Sequence, residues 1–306
     1  MRGKFNLDGT MVKTISRAKL GKSDVVVALA LNFADGADRI NGTVSNANFT
    51  SLLQADRTTF GVMNPATAYV SSYTMLMPGF PNPTNGPPGY GYGLITINSN
   101  GFVKLSGETA DGMKISQSIP ISKNGEWPLY VQLYKTVRVF TNGVTSALAT
   151  NKSYYLGSLL SWVAFTNDAP RGVLSSIKTG GTNAIYVKGF TNEAAIIGSR
   201  YQTPSVGTFL GGVTNGLLSL TNGSLPNVFT RSLFIKPNNA IVVSPTNDAV
   251  KLTFSPKTGL LSGDFRHPDH PNISTPFKGV ILQSQNFNAG YFLGTNEGGL
   301  LLFETD

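Results

Sequence analysis

The sequence predicts an all-β protein: antiparallel meanders forming barrel-like or sandwich-like units, with internal repeats and very little helix. Three observations lead there. Apolar and polar residues alternate with period two along most of the 306 residues. Gly is abundant, 34 in all, and Asn-Gly or Asp-Gly pairs fall at hairpin spacing. Charged residues make up 13% of the chain, against a usual share of about a quarter, too few to cover many amphipathic helices.

The elements follow in order. The opening Met1-Arg2-Gly3-Lys4-Phe5-Asn6-Leu7-Asp8-Gly9 reads as the middle of a hairpin, so a piece of a longer protein is expected, with any export signal upstream. Val25 to Phe33 is a strand closed by Asp35-Gly36, and Ile40 to Val44 returns. Segment 78–89 carries too many prolines for a sheet ladder and is either a linker or a long loop beside a binding face. Leu94 to Ile97, Asn100-Gly101 and Phe102 to Leu105 spell a hairpin with a tight primed turn. Asp111-Gly112, Asn124-Gly125, Asn142-Gly143, Asn215-Gly216 and Asn222-Gly223 repeat the device. The best helix candidate, Asn192 to Ser199, is short. The expected organisation is an N-terminal β unit (1–77), the Pro/Gly segment (78–89), a β repeat (90–180) and a C-terminal β repeat (181–306). Leu94 to Phe165 and Val250 to Phe303 are expected to superpose, since Gly101, Gly107 and Gly157 in one match Gly259, Gly263 and Gly294 in the other.

Composition excludes several chemistries. The absence of Cys removes thiol catalysis, disulfides and thiolate metal sites. The net charge of +8 comes from Lys and Arg scattered singly, which predicts no specific nucleic-acid partner and at most weak contact with acidic polymers. No stretch reads as a membrane-spanning helix, and an outer-membrane barrel ranks last. Nucleophile motifs also fail. No Ser lies in a Gly-x-Ser-x-Gly elbow, and Gly21-Lys22-Ser23 lacks the preceding Gly and following helix of a phosphate loop.

Two constellations remain. The only histidines share a loop, Arg266-His267-Pro268-Asp269-His270-Pro271. His267, Asp269 and His270 would be the ligands if a divalent metal bound, the one cofactor the sequence suggests. If the chain is an enzyme, His267, His270, Asp269 and Asp264 are its candidate catalytic residues, with a His oriented by an Asp. Asp38, Asp56, Glu108, Asp111, Glu126 and Asp264 fall near strand ends, where two carboxylates could meet as acid and base, while Asp56-Arg57 reads as a local ion pair. The bland reading of the His loop, an exposed hairpin tip, is favoured. The second constellation is aromatic. Trp127, Tyr130 and Tyr134, with Tyr90 and Tyr92 beside the Pro-rich loop, are candidate ligand-binding residues, because flat rings on a β scaffold stack on sugars. Trp127 and Trp162 read more readily as core, and Tyr90 and Tyr92 as exposed.

The run GYGYGLITINSNGFVKLSGETADGMKISQSIPISKNGEWPLY, with the later KGFTNE, GSRY, TPFKGVILQ and GYFLGT, resembles a β-rich module of large surface or secreted proteins of environmental bacteria. The resemblance runs from about Phe5 onward and departs at Lys135 to Ser153 and at Arg266 to Asn272. It implies no assigned activity. The expected function is a non-catalytic module, extracellular or on the cell surface, that binds a polysaccharide or other surface component. The alternative is a hydrolase of esters, phosphoesters or glycosides.

Overall fold

A computed structural model describes residues 2–18, 21–34, 38–140, 150–181, 185–206, 212–245 and 250–305. Among them there is no helix, and 59% of the chain is strand, all of it antiparallel. The expected turns at Asp35-Gly36 and Asn142-Gly143 lie outside the described residues. The chain divides into two compact units, Met1–Thr59 and Phe60–Asp306.

The first unit is a four-stranded meander of β1 (Thr10–Ile15), β2 (Val25–Leu31), β3 (Arg39–Ser45) and β4 (Thr50–Asp56) in sequence order. Alternation buries Met11, Val25 and Val27 on one face. Asp56 and Arg57 do not pair with each other. Asp56 binds Arg39, its directly opposite partner, at 2.7 Å, and Arg57 binds Asp38 at 3.3 Å. Neighbouring residues of a strand point to opposite faces, so cross-strand pairing wins over sequence adjacency.

In the second unit, β5 (Ser71–Met77), β6 (Gly91–Ile97), β7 (Phe102–Glu108), β8 (Lys114–Pro120) and β14 (Ile197–Tyr201) form a sheet in the order β14-β5-β6-β7-β8. This sheet is covered on both faces. Along β5, Tyr73, Met75 and Met77 join one core with Ile95, Leu105 and Trp127, while Leu76 joins another with Tyr92, Val280 and Tyr291. Such double burial explains why Tyr73 to Met77 read as a nearly continuous apolar run.

The first core is closed by a sheet of β9 (Glu126–Phe140), β10 (Thr150–Thr166), β11 (Ala169–Arg171), β12 (Val173–Thr179) and β13 (Gly189–Ala195), with β9 on one side of β10 and β11 and β12 on the other. The expected helix at Asn192 to Ser199 is instead β13 running into β14. On the opposite side lies an eight-stranded, nearly closed, barrel-like sheet. Its members are β15 (Asn215–Asn222), β16 (Phe229–Ile235), β17 (Ile241–Ser244), β18 (Lys251–Ser255), β19 (Leu260–Arg266), β20 (Ser274–Leu282), β21 (Phe287–Leu293) and β22 (Gly298–Thr305), in the order β17-β16-β15-β22-β21-β20-β19-β18. Asn215-Gly216 opens β15 rather than making a turn.

The turn chemistry also differs from expectation. A primed turn needs positive φ at both central residues, yet at Asn100-Gly101 only Gly101 is left-handed, with φ of 74°. The Gly101 N–H donates to Asn98 O (2.9 Å), and Asn98 N–H donates to Phe102 O (3.2 Å). This is a four-residue loop ending in a left-handed glycine. Gly112 and Gly125 repeat it, with φ of 83° and 76° and the same pair of bonds. The two proposed repeat copies agree for three strands: β6-β7-β8 and β18-β19-β20 are both meanders, with Gly101 O and Gly259 O accepting from Ile121 and Ile281. They part at the fourth strand, where β9 leaves to found a new sheet and β21 stays. The two segments therefore do not share one strand order.

Gly101→Ala should destabilise the fold by about 2 kcal/mol, from the left-handed backbone alone, and its Cβ would sit 2.7 Å from the Phe60 ring. Gly61→Ala, where a Cβ meets open space, should be near neutral. Urea denaturation of both variants checks this, and equal midpoints would contradict the turn assignment.

Candidate functional site

The long β9–β10 ribbon sorts its side chains cleanly. Trp127, Leu129, Leu133, Leu159 and Val163 are buried against the central sheet. The alternate residues face outward, where Tyr130 is 54% and Trp162 48% exposed. Tyr130 lies directly opposite Leu160, and Trp162 opposite Pro128, so the four share one face in fixed register. Gln132 and Ser158, the next pair on that face, add hydrogen-bonding groups, and exposed Val173 of β12 extends the apolar surface. Gln117 stiffens the platform. Its amide donates to the carbonyls of Pro128 (3.2 Å) and Tyr130 (3.3 Å), while its Oε1 accepts from the Trp127 indole N–H (2.8 Å). Pro128 belongs on this strand because β9 is an edge, where a missing N–H breaks no ladder.

The other candidate aromatics are placed differently. Trp127 is completely buried and stacks on Phe165, so it presents no ring to a ligand. Segment 78–89 joins two paired strands, and its buried end, residues 86–89, packs inward, with Gly89 against Tyr291 and Gly299. It draws the next residues in with it. Tyr90 is half-buried edge-on to Phe287, its N–H donating to Gly290 O, and Tyr92 is buried. The expectation that these two are exposed is therefore corrected. Tyr134 should share the outer face with Tyr130 by alternation. Its φ of 57° instead swings the ring onto the inner core, over Gly157.

Two carboxylates near the β7–β8 turn face opposite neighbours. Glu108 accepts from Lys278 of β20 (2.6 Å) and from the Tyr291 hydroxyl of β21 (2.5 Å). Asp111 accepts from the Tyr134 hydroxyl of β9 (2.8 Å), with Lys178 of β12 at 3.7 Å. Glu108 binds a cation and a phenol, whereas Asp111 binds a phenol with its cation standing beyond hydrogen-bond reach, and each reaches a different neighbouring sheet. Burial, then the adjacent carboxylate, pushes the Tyr134 and Tyr291 phenols well above their ordinary range. Burial pushes Tyr186 up to about 12.

The His loop does not assemble the expected ligand set. His267 is buried, with Nε2 2.8 Å from the Gly223 carbonyl, which it can only meet as a donor. Nδ1 then accepts from the Asp269 N–H at 3.2 Å. Both ring nitrogens are therefore occupied by backbone, and the ring ties the loop after β19 to the end of β15. Asp269 Oδ2 lies 3.8 Å from Nδ1, His270 is exposed, and Asp264 accepts from Ser274 at 2.5 Å. Among the described residues, no group of three or more His, Asp or Glu is placed to hold a metal ion. The burial of His267 was not readable from the loop sequence, because Pro268 and Pro271 mark a turn without showing which side chain faces inward.

No family model, curated protein or solved structure matches the chain.

The buried phenols generate a prediction about alkaline stability. Their folded-state pKa lies above the unfolded value of 10.0, so the native state holds protons that the unfolded chain releases. Stability should be insensitive to these groups below pH 10 and fall as pH rises through 10 toward 12. Denaturant midpoints at pH 8 and pH 11 measure this, and an unchanged midpoint would show that the phenols are not desolvated.

Proposed function

We propose that this chain is a non-catalytic binding module, extracellular or at the cell surface, that holds a polysaccharide or related surface component on the outer face of the β9–β10–β12 sheet. The observation that carries the reading is the Tyr130 and Trp162 pair, exposed on adjacent strands in fixed register while their neighbours Leu129, Ser161 and Val163 are buried. Large exposed rings cost solvation without stabilising the fold, and an apolar patch rimmed by polar groups marks an interaction surface. Flat rings stack on the apolar faces of sugars, while Gln132 and Ser158 supply donors and acceptors beside them. Rigidity favours the same use, since Gln117 and the inner core fix the strand before any ligand arrives. A hydrolase built on His267 would need a free ring nitrogen there, and both are engaged; the Asp/Glu-pair version of that alternative does not depend on it.

Retention on insoluble polysaccharides and a glycan array tests the proposal. Trp162→Ala and Tyr130→Ala should each weaken binding by about tenfold, equivalent to about 1.4 kcal/mol per ring, with denaturant stability almost unchanged. Wild-type retention by the double variant would remove the platform from the mechanism. No retention of the wild-type chain on any glycan would end the glycan reading.

A further inference from the structure

Asp111 and Lys178 are buried together without forming a good salt bridge. Their side chains are only 4% and 7% exposed, yet Nζ and Oδ2 stand 3.7 Å apart, beyond hydrogen-bond reach. Lys178 donates to the Ile185 carbonyl instead, at 2.8 Å, and the rings of Tyr134 and Phe190 lie 4.9 and 5.9 Å from its nitrogen. Both Asp111 oxygens are held by neutral hydroxyls: Oδ1 by Thr109 at 2.5 Å and Oδ2 by Tyr134 at 2.8 Å. Burying two charges is offset only when their geometry and remaining hydrogen bonds are good, and this pair lacks its direct bond.

The residue that holds Oδ2 is also strained. A bulky side chain at positive φ is an outlier that persists only where the surroundings enforce it. Here they do. The Tyr134 ring occupies the space over Gly157, where a Cβ would come within 2.7 Å of it. Beside the group lies a cavity of about 300 Å³, walled by Met113, Leu156 and Leu293.

We propose that Lys178 and Asp111 condense into an intramolecular isopeptide bond, with Tyr134 as the catalytic residue. The phenol passes a proton to Oδ2 and takes one from the Lys178 ammonium. The neutral amine attacks the Asp111 carboxyl carbon, while the Thr109 hydroxyl supports the charge developing on Oδ1. The C–N bond forms and the bond to Oδ2 breaks. Oδ2 departs as water carrying two of the three ammonium protons, and the third stays on the amide nitrogen. One ammonium and one carboxylate thus become one amide and one water, so atoms and charge balance without an oxidant. The driving force is the removal of both buried charges. The cavity, lined by Thr136 and Thr179 as well as by Met113, Leu156 and Leu293, gives the departing water a place to go. The bond ties the β7–β8 turn of the central sheet to β12 of its neighbour, a covalent staple in a chain that has no cysteine.

Intact-mass measurement of the purified, denatured full chain decides the matter. The wild-type mass should fall short of the sequence mass by one water, and proteolysis should release a branched peptide joining the segments around Asp111 and Lys178. Lys178→Arg and Asp111→Ala should each restore the full mass, and Tyr134→Phe should leave the bond unformed or slow to form. A wild-type chain at full sequence mass overturns the proposal even if every variant misfolds. So does a lost water that maps to a cyclic imide at Asp111-Gly112, with Lys178 still open to acylation.

Discussion

The β7–β8 turn is the point on which the second unit depends. Two carboxylates three residues apart, Glu108 and Asp111, leave it toward opposite layers. Glu108 reaches Lys278 and Tyr291 of the barrel-like sheet, and Asp111 reaches Tyr134 and Lys178 of the β9–β13 sheet. The separation is a matter of strand geometry. Glu108 is the last residue of β7 and follows the face of Tyr92 and Leu76, whereas Asp111 sits on the loop that Gly112 closes. Glu108, Asp111 and Lys178 are costly to bury, whereas Lys278 is 37% exposed; leaving a fully buried charge without its mate typically costs about 3–5 kcal/mol, and less where solvent reaches the pair. They also fix which face of the central sheet each layer covers, something apolar packing alone does weakly.

Polar bonds of the same kind line the seam between the central sheet and the barrel-like sheet. Thr74 donates to Ile281 O (2.7 Å), the Tyr201 hydroxyl to Pro256 O (2.5 Å), and Gln285 to Gly198 O (2.6 Å). Most of these acceptors are backbone carbonyls at strand ends, which packing between layers would otherwise leave without water. Each bond contributes on the order of 1 kcal/mol net, and a lost partner costs more. Among the described residues, the outer face of β9–β10 has no such provision. Its exposed rings meet solvent, so the two faces of this one sheet differ in what they are built to touch.

Much of the fold was legible, and the misreadings have specific causes. Period-two patterning placed β2, β6 and β7, because a half-buried strand must alternate. The Gly positions marked turns correctly at Gly101, Gly112 and Gly125, but not their type, since one left-handed glycine satisfies a four-residue loop as well as a primed turn needs two. Trp162 read as core because tryptophan usually is, and its neighbours Ser161 and Val163 gave no contrary sign. Tyr134 was read as a ligand-binding ring, and no local residue signals the positive φ that turns it inward. Gly157 is the one hint, and it lies on the partner strand, across a hairpin whose register the sequence leaves open.

By itself the sequence determined that this chain is antiparallel β, stapled by no disulfide, turned by left-handed glycines and short of surface charge. Those properties are local: each follows from a few neighbouring residues and the backbone angles they allow. Only the tertiary structure decided that β9 abandons its sheet while β21 stays, that Tyr90 and Tyr92 turn inward while Trp162 turns out, that His267 is a buried anchor, and that Asp111 meets Lys178. Those outcomes depend on which layers come together, and contacts between residues far apart in the chain are set by the summed burial of whole faces, which no single segment encodes.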